Sequence, residues 1–169
     1  RTKITGVLTE GEFQYVFIDT PGVQKARNKL GEHMNKAVKD SIAGVDCAVF
    51  VADVTRKTME SEIHLLESFR HSKTPVILAL NKIDLVDSKE EIAVQIAKFS
   101  SMYDFASIVP VSVLENDGVD IVKEEIAKYA VEGPHYYPDD KLTDQPERVL
   151  AAEMIREKML QLLYEEVPH

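Results

Sequence analysis

What the sequence lacks removes several classes of explanation. It holds one cysteine in 169 residues, Cys47, so neither an internal disulfide nor a cysteine metal cluster can form. Cys47 lies inside the apolar run CAVFVAD and reads as a small buried hydrophobe. No apolar stretch reaches the ~20 residues needed to span a bilayer, and the N-terminal RTKITGV lacks the apolar core of a signal peptide. A soluble, cytoplasmic protein is expected. Positive charge is scarce: 20 Lys and Arg stand against 29 Asp and Glu, a formal charge of −9. That balance repels a polyanion unless basic residues are concentrated locally, so the chain is a poor general nucleic-acid binder and DNA is not an expected partner.

What is present reads as globular. Apolar residues make up 44% and charged residues 29%, with no long polar tract, and the length suits one principal domain plus an appendage. ITGVLTEGEFQYVFID holds two alternating, β-branched runs around Glu10 and Gly11, which predicts an antiparallel hairpin. Leu30, Met34, Ala37, Val38 and Ile42 recur at helical spacing, with Gly44 closing that helix. VDCAVFVAD is continuously apolar, as a strand covered on both faces must be. Helical spacing returns at Met59, Ile63, Leu66 and Phe69, before a second buried strand, TPVILAL, that stops at NKID. A third round follows: Ile92, Ile96 and Phe99 on a helix, SIVPVS as a strand, then Val122, Ile126 and Tyr129 on a last helix. This alternation predicts an α/β fold, a mostly parallel sheet with helices on both faces. Residues 133–146, GPHYYPDDKLTDQP, are rich in Pro and Asp without apolar period and read as a linker. Glu147 to Glu166 forms one amphipathic helix with Ala151, Met154, Ile155, Leu162 and Leu163 on its apolar side; standing alone it is marginal, so it either docks on the main domain or opens a second one.

Three strand ends carry the polar chemistry, where ligands of open parallel sheets sit. The first is Asp19, Thr20, Pro21 and Gly22: Asp19 can hold Mg²⁺, and Gly22 leaves its N–H open to a terminal phosphate. The second is Asn81, Lys82, Ile83 and Asp84. The Asp84 carboxylate can accept from the N1–H and exocyclic amine of guanine, a donor pair that adenine does not offer on that edge. Lys82 can lay its stem along the base, and Asn81 can tie neighbouring loops together. At the third, Ser112 and the N–H of Val113 can support the same loop and reach the guanine O6.

DTPG, NKID and PVS, in this order, resemble the later motifs of translation-factor-type GTPases. HMNKAV, HYYPDD and ERVLAAEMIREKMLQLL extend the resemblance to the Era family of bacterial ribosome-assembly GTPases, over essentially the whole chain. It implies a P-loop-GTPase-type sheet, GTP and GDP as ligands with Mg²⁺, hydrolysis of GTP in the parental protein, and a C-terminal KH domain. It further implies binding to small-subunit ribosomal RNA and to the small ribosomal subunit during its assembly, with a peripheral association at the inner face of the cell membrane left open. By the resemblance the catalytic residues are Asp19 and Gly22, the metal ligand is Asp19, and the nucleotide contacts are Asp19, Thr20, Pro21, Gly22, Val23, Asn81, Lys82, Ile83, Asp84, Ser112 and Val113. The domains are residues 1–132 (GTPase), 133–146 (linker) and 147–169 (first KH helix).

The chain departs from the family pattern in several places. The family's GxxxxGK[ST] phosphate loop has no counterpart here. Gly6 and Gly11 have the spacing, but Glu12 and Phe13 stand where Lys and Ser or Thr are required. The sequence is expected to start just after the family's phosphate-loop strand and switch threonine, leaving two strand edges without that strand. No GxxG loop follows the last helix. Val23 occupies the place where many small GTPases carry a water-orienting Gln, and Gln24 is the nearest candidate by type. Val113 and Glu115 replace the usual small residue and the Lys or Gly after it. A non-catalytic, degenerate scaffold binding RNA or ribosomal protein is the alternative.

Overall fold

The computed structural model describes residues 4–19, 44–71 and 73–162. The expected helix from Leu30 to Ile42, the turn from Thr20 to Val23, Gln24 and the end of the chain from Leu163 lie outside the described residues. The chain divides into two compact units, residues 1–19 with 134–169, and residues 20–133.

In the first unit, β1 (Ile4–Glu10) and β2 (Phe13–Asp19) pair antiparallel from Ile4 opposite Asp19 to Glu10 opposite Phe13. The turn falls on Gly11 and Glu12, one residue later than the alternation suggests. Gly11 takes φ +60°, a left-handed conformation that costs glycine little. Phe13, Tyr15 and Phe17 stack along one face of β2 with ring centroids 6.2 Å apart, the period-2 geometry of a strand.

The Pro- and Asp-rich stretch that follows Gly133 has no apolar period, yet its backbone groups find partners on this hairpin. Val7 N–H donates to Leu142 O at 2.8 Å, and the Thr143 hydroxyl donates to Thr5 O at 2.7 Å. The Gln14 amide acts as a surrogate peptide: its Nε2 donates to Tyr137 O and its Oε1 accepts from Tyr137 N–H, both at 2.9 Å. The last described helix, α4 (Glu147–Leu162), has no buried residue among those whose side chains are described. Ala151, Met154, Ile155 and Leu162, expected on a buried side, are exposed, and Val149 and Leu160 place apolar surface on the opposite side as well.

The second unit is built on a parallel sheet of three strands in the order β3 (Ala48–Asp53), β4 (Val76–Asn81), β5 (Ser107–Val111). Its helices are α1 (Glu60–His71), α2 (Lys89–Met102) and α3 (Val119–Ala127). Central β4 buries Val76 to Leu80 without a break, and each of its Val, Ile and Leu side chains removed from water contributes about 1.5–3 kcal/mol. One face packs Phe50, Ala52, Leu78 and Leu80 against Leu66 and Phe69 of α1 and Phe99 of α2. The other packs Ile77, Ala79, Val109 and Val111 against Val122, Ile126 and Tyr129. Helices therefore cover both faces, as the alternation predicts. On β3, Val49 and Val51 are exposed; among the described helices, α3 packs chiefly over β4 and β5.

Helix α1 corrects a second expectation. Leu66 and Phe69 are buried, but Met59 and Ile63 are exposed, and the inward position one turn before Leu66 is Glu62. A lone buried carboxylate is costly. Here the Arg56 guanidinium grips both oxygens, at 3.2 Å to Oε2 and 2.5 Å to Oε1, and Met59 N–H donates to Oε2 at 2.7 Å. The pair satisfies an otherwise open amide at the helix N-terminus while neutralising the charge.

Candidate functional site

Parallel register brings the strand ends of the second unit to one edge: Asp53 lies opposite Asn81, and Asn81 opposite Val111. Asn81 links the loops there. Its Oδ1 accepts from Lys82 N–H at 2.8 Å and Val113 N–H at 3.1 Å, while its carbonyl accepts from Val54 N–H at 2.9 Å. After Asn81 the chain turns through Lys82 at φ 71°, ψ 35°, a left-handed conformation costing a non-glycine residue about 1–3 kcal/mol. One turn of 3-10 helix, Ile83–Leu85, then presents Asp84 to solvent.

Asp84 is oriented from the next strand end. The Ser112 hydroxyl donates to Asp84 Oδ1 at 2.5 Å and accepts from Glu115 N–H at 3.2 Å. Ser112 is 1% exposed and is held by paired backbone hydrogen bonds with Asp117, 2.9 and 3.0 Å. A buried hydroxyl aimed at an exposed carboxylate fixes the direction of that carboxylate in advance.

Sequence reasoning missed Asp53, although its signal is the one used elsewhere: an apolar strand ending on an acid. Its Oδ2 pairs with Lys82 Nζ at 2.7 Å, and its Oδ1 accepts from the Thr55 N–H at 2.9 Å and hydroxyl at 2.6 Å. Desolvation raises its carboxyl pKa, but the hydrogen bonds from Lys82 and Thr55 outweigh it and bring the value down to about 2. Asp19 ends β2 in the other unit and is exposed. Thr20, Pro21, Gly22 and Val23 lie outside the described residues.

A parallel α/β sheet whose central strand ends in Asn-Lys-Ile-Asp, with a buried serine on the next strand end directing the acid, defines the G-domain class of nucleotide-binding proteins. The chain belongs to the family of the elongation factor Tu GTP binding domain, whose model matches residues 3–169. Over all 169 residues it is 43% identical to a protein described as GTPase Era from Ruminiclostridium cellulolyticum, covering 56% of that protein. It is also 43% identical to GTPase Era of Clostridium botulinum strain Kyoto, covering 57%. Two solved structures share the fold across 99% of the chain and 57% of their own. One is Era with MgGDPNP and nucleotides 1506–1542 of 16S ribosomal RNA, at TM-score 0.83 and 32% identity. The other is an Aquifex aeolicus Era variant bound to GDP·AlF4⁻, at TM-score 0.82 and 33% identity. The chain therefore spans a little over half the length of the curated relatives it matches.

Proposed function

We propose that the chain carries the guanine-reading half of a GTPase that binds small-subunit ribosomal RNA and assists assembly of the small ribosomal subunit. The observation that carries this is the Asn81, Asp84 and Ser112 constellation: an exposed carboxylate pre-aimed by a buried hydroxyl, on a loop that Asn81 ties to the neighbouring strand end. Its acceptor pair fits guanine, since a carboxylate accepts from the N1–H and exocyclic amine together, and the Lys82 stem supplies an apolar cover for the base. The likeness to Era along the whole chain supports the ribosomal role.

Asp19 is the proposed Mg²⁺ ligand and, with the Gly22 N–H, serves the phosphate side. Thr20, Pro21, Val23, Ile83 and Val113 are proposed as further nucleotide contacts. Bound Mg²⁺ would offset charge on the phosphate oxygens. Residues 1–132 are the proposed GTPase domain, 133–146 the linker, and 147–169 the start of a KH domain through which RNA is bound. The cytoplasm is the proposed location. No helix among the described residues is long and apolar enough to cross a membrane.

Asp84→Asn in the intact protein tests the reading. The amide reverses half of the hydrogen-bond pattern, so GDP affinity is expected to fall about 100-fold or more, while xanthosine diphosphate binding strengthens. Unchanged affinities for both nucleotides would remove Asp84 as the base reader.

A further inference from the structure

Lys82 is exposed along much of its length, yet its side chain has a fixed destination. Its backbone adopts φ 71°, a conformation lysine rarely takes, and strain of this kind persists where surrounding contacts impose it. The contacts are visible at both ends of the residue. Asn81 Oδ1 accepts from its amide at 2.8 Å, and Asp53 Oδ2 receives its ammonium at 2.7 Å. Asp53 is itself immobilised, because its other oxygen accepts from Thr55 N–H and hydroxyl at 2.9 and 2.6 Å. Parallel register sets Asp53 directly beside Asn81, so the end of one strand restrains the loop that leaves the next.

We propose that Asp53, locked by Thr55, is a positioning residue for the base pocket: it holds the Lys82 side chain in place before a purine nucleotide arrives. This rests on the guanine-nucleotide reading of the same site. A lysine side chain has four rotatable bonds, and ordering it during binding weakens affinity; ordering it beforehand removes that cost from the binding step. A surface ion pair contributes little to folding, so a pair in this place is better accounted for by what it prearranges. Asp53 does not touch the nucleotide in this scheme; its effect passes entirely through Lys82.

The test is a double-mutant cycle in the intact protein, with GDP binding followed by calorimetry. Asp53→Asn keeps the shape and can still accept from Thr55, but loses the ion pair; it is expected to weaken GDP roughly three- to tenfold, the effect of freeing one long side chain. Lys82→Ala is expected to weaken GDP more. In the Lys82→Ala background, Asp53→Asn should then have no further effect, which a merely structural role for Asp53 would not produce. An Asp53→Asn effect that persists undiminished without Lys82, or the absence of any effect in the wild-type background, overturns the proposal. Asp84→Asn run alongside separates the two readings: if it alters base preference while Asp53→Asn does nothing, only the positioning role fails. If neither variant changes nucleotide binding, the guanine pocket itself is wrong.

Discussion

Gly118 shows how closely single residues are specified behind the site. It takes φ +74°, and a Cβ there would stand 2.6 Å from Pro110 O and 3.1 Å from Val111 Cγ1. Gly118→Ala combines a left-handed alanine, about 1 kcal/mol or more, with a clash against strand backbone that cannot retreat, about 1–3 kcal/mol. A loss of roughly 2 kcal/mol or more is expected in urea denaturation; a change below about 0.5 kcal/mol would show that the β5 end yields. Gly118 follows Asp117, which fastens Ser112, so the same clash presses on the hydroxyl that directs Asp84. Asn81, Lys82, Asp84 and Ser112 were legible in the sequence because each follows an apolar strand in a familiar order. Asp53 and Gly118 were not, because their roles depend on register between strands and on a backbone contact 8 residues away along the chain, and neither leaves a pattern in one segment.

Strands were more readable than the surfaces of helices. β4 is buried from Val76 to Leu80, and its unbroken apolar run says so directly. In α1 the periodicity placed Met59 and Ile63 inward, whereas the structure buries Glu62. Hydrophobic spacing cannot disclose a carboxylate whose burial depends on an arginine 6 residues earlier. The 133–146 stretch is a similar case: its composition says loop, and only the hairpin's open hydrogen-bonding groups explain how it is held. His135 fastens that stretch, its Nδ1 against Asp139 Oδ1 at 2.7 Å and its Nε2 against Glu12 O at 3.2 Å. The Asp139 hydrogen bond, helped by the Glu12 carbonyl, raises the imidazole above its ordinary 6.5. Because the folded value is the higher one, the charge-dependent part of this contact is fully present below 6.5 and is lost as pH rises through the raised value, while the backbone and Gln14 hydrogen bonds remain. Proton NMR titration of His135 should therefore give a midpoint above 6.5 that falls in Asp139→Asn; identical midpoints in both proteins would mean that the contact carries no charge.

At the scale of the molecule, the order of the strand-end motifs made the fold class legible, since a parallel sheet gathers its strand ends along one edge. The acidic balance of the chain, −9, fits the proposal that RNA affinity belongs to the KH element and not to the sheet. The exposed apolar residues on opposite sides of α4 are consistent with the proposal that this helix opens a KH domain. The apolar spacing predicts a single stripe, and spacing along a helix does not report how many neighbours surround it.

The central claim is that Asp84 makes this a guanine reader, and calorimetric titration of the intact protein with GDP, IDP and ADP tests it most directly. IDP lacks only the exocyclic amine, so it should bind about 10- to 100-fold more weakly than GDP, the effect of one hydrogen bond to a charged acceptor. ADP, which offers Asp84 no N1–H, should show no measurable heat of binding at concentrations that saturate GDP. Equal affinity for GDP and ADP would contradict the account.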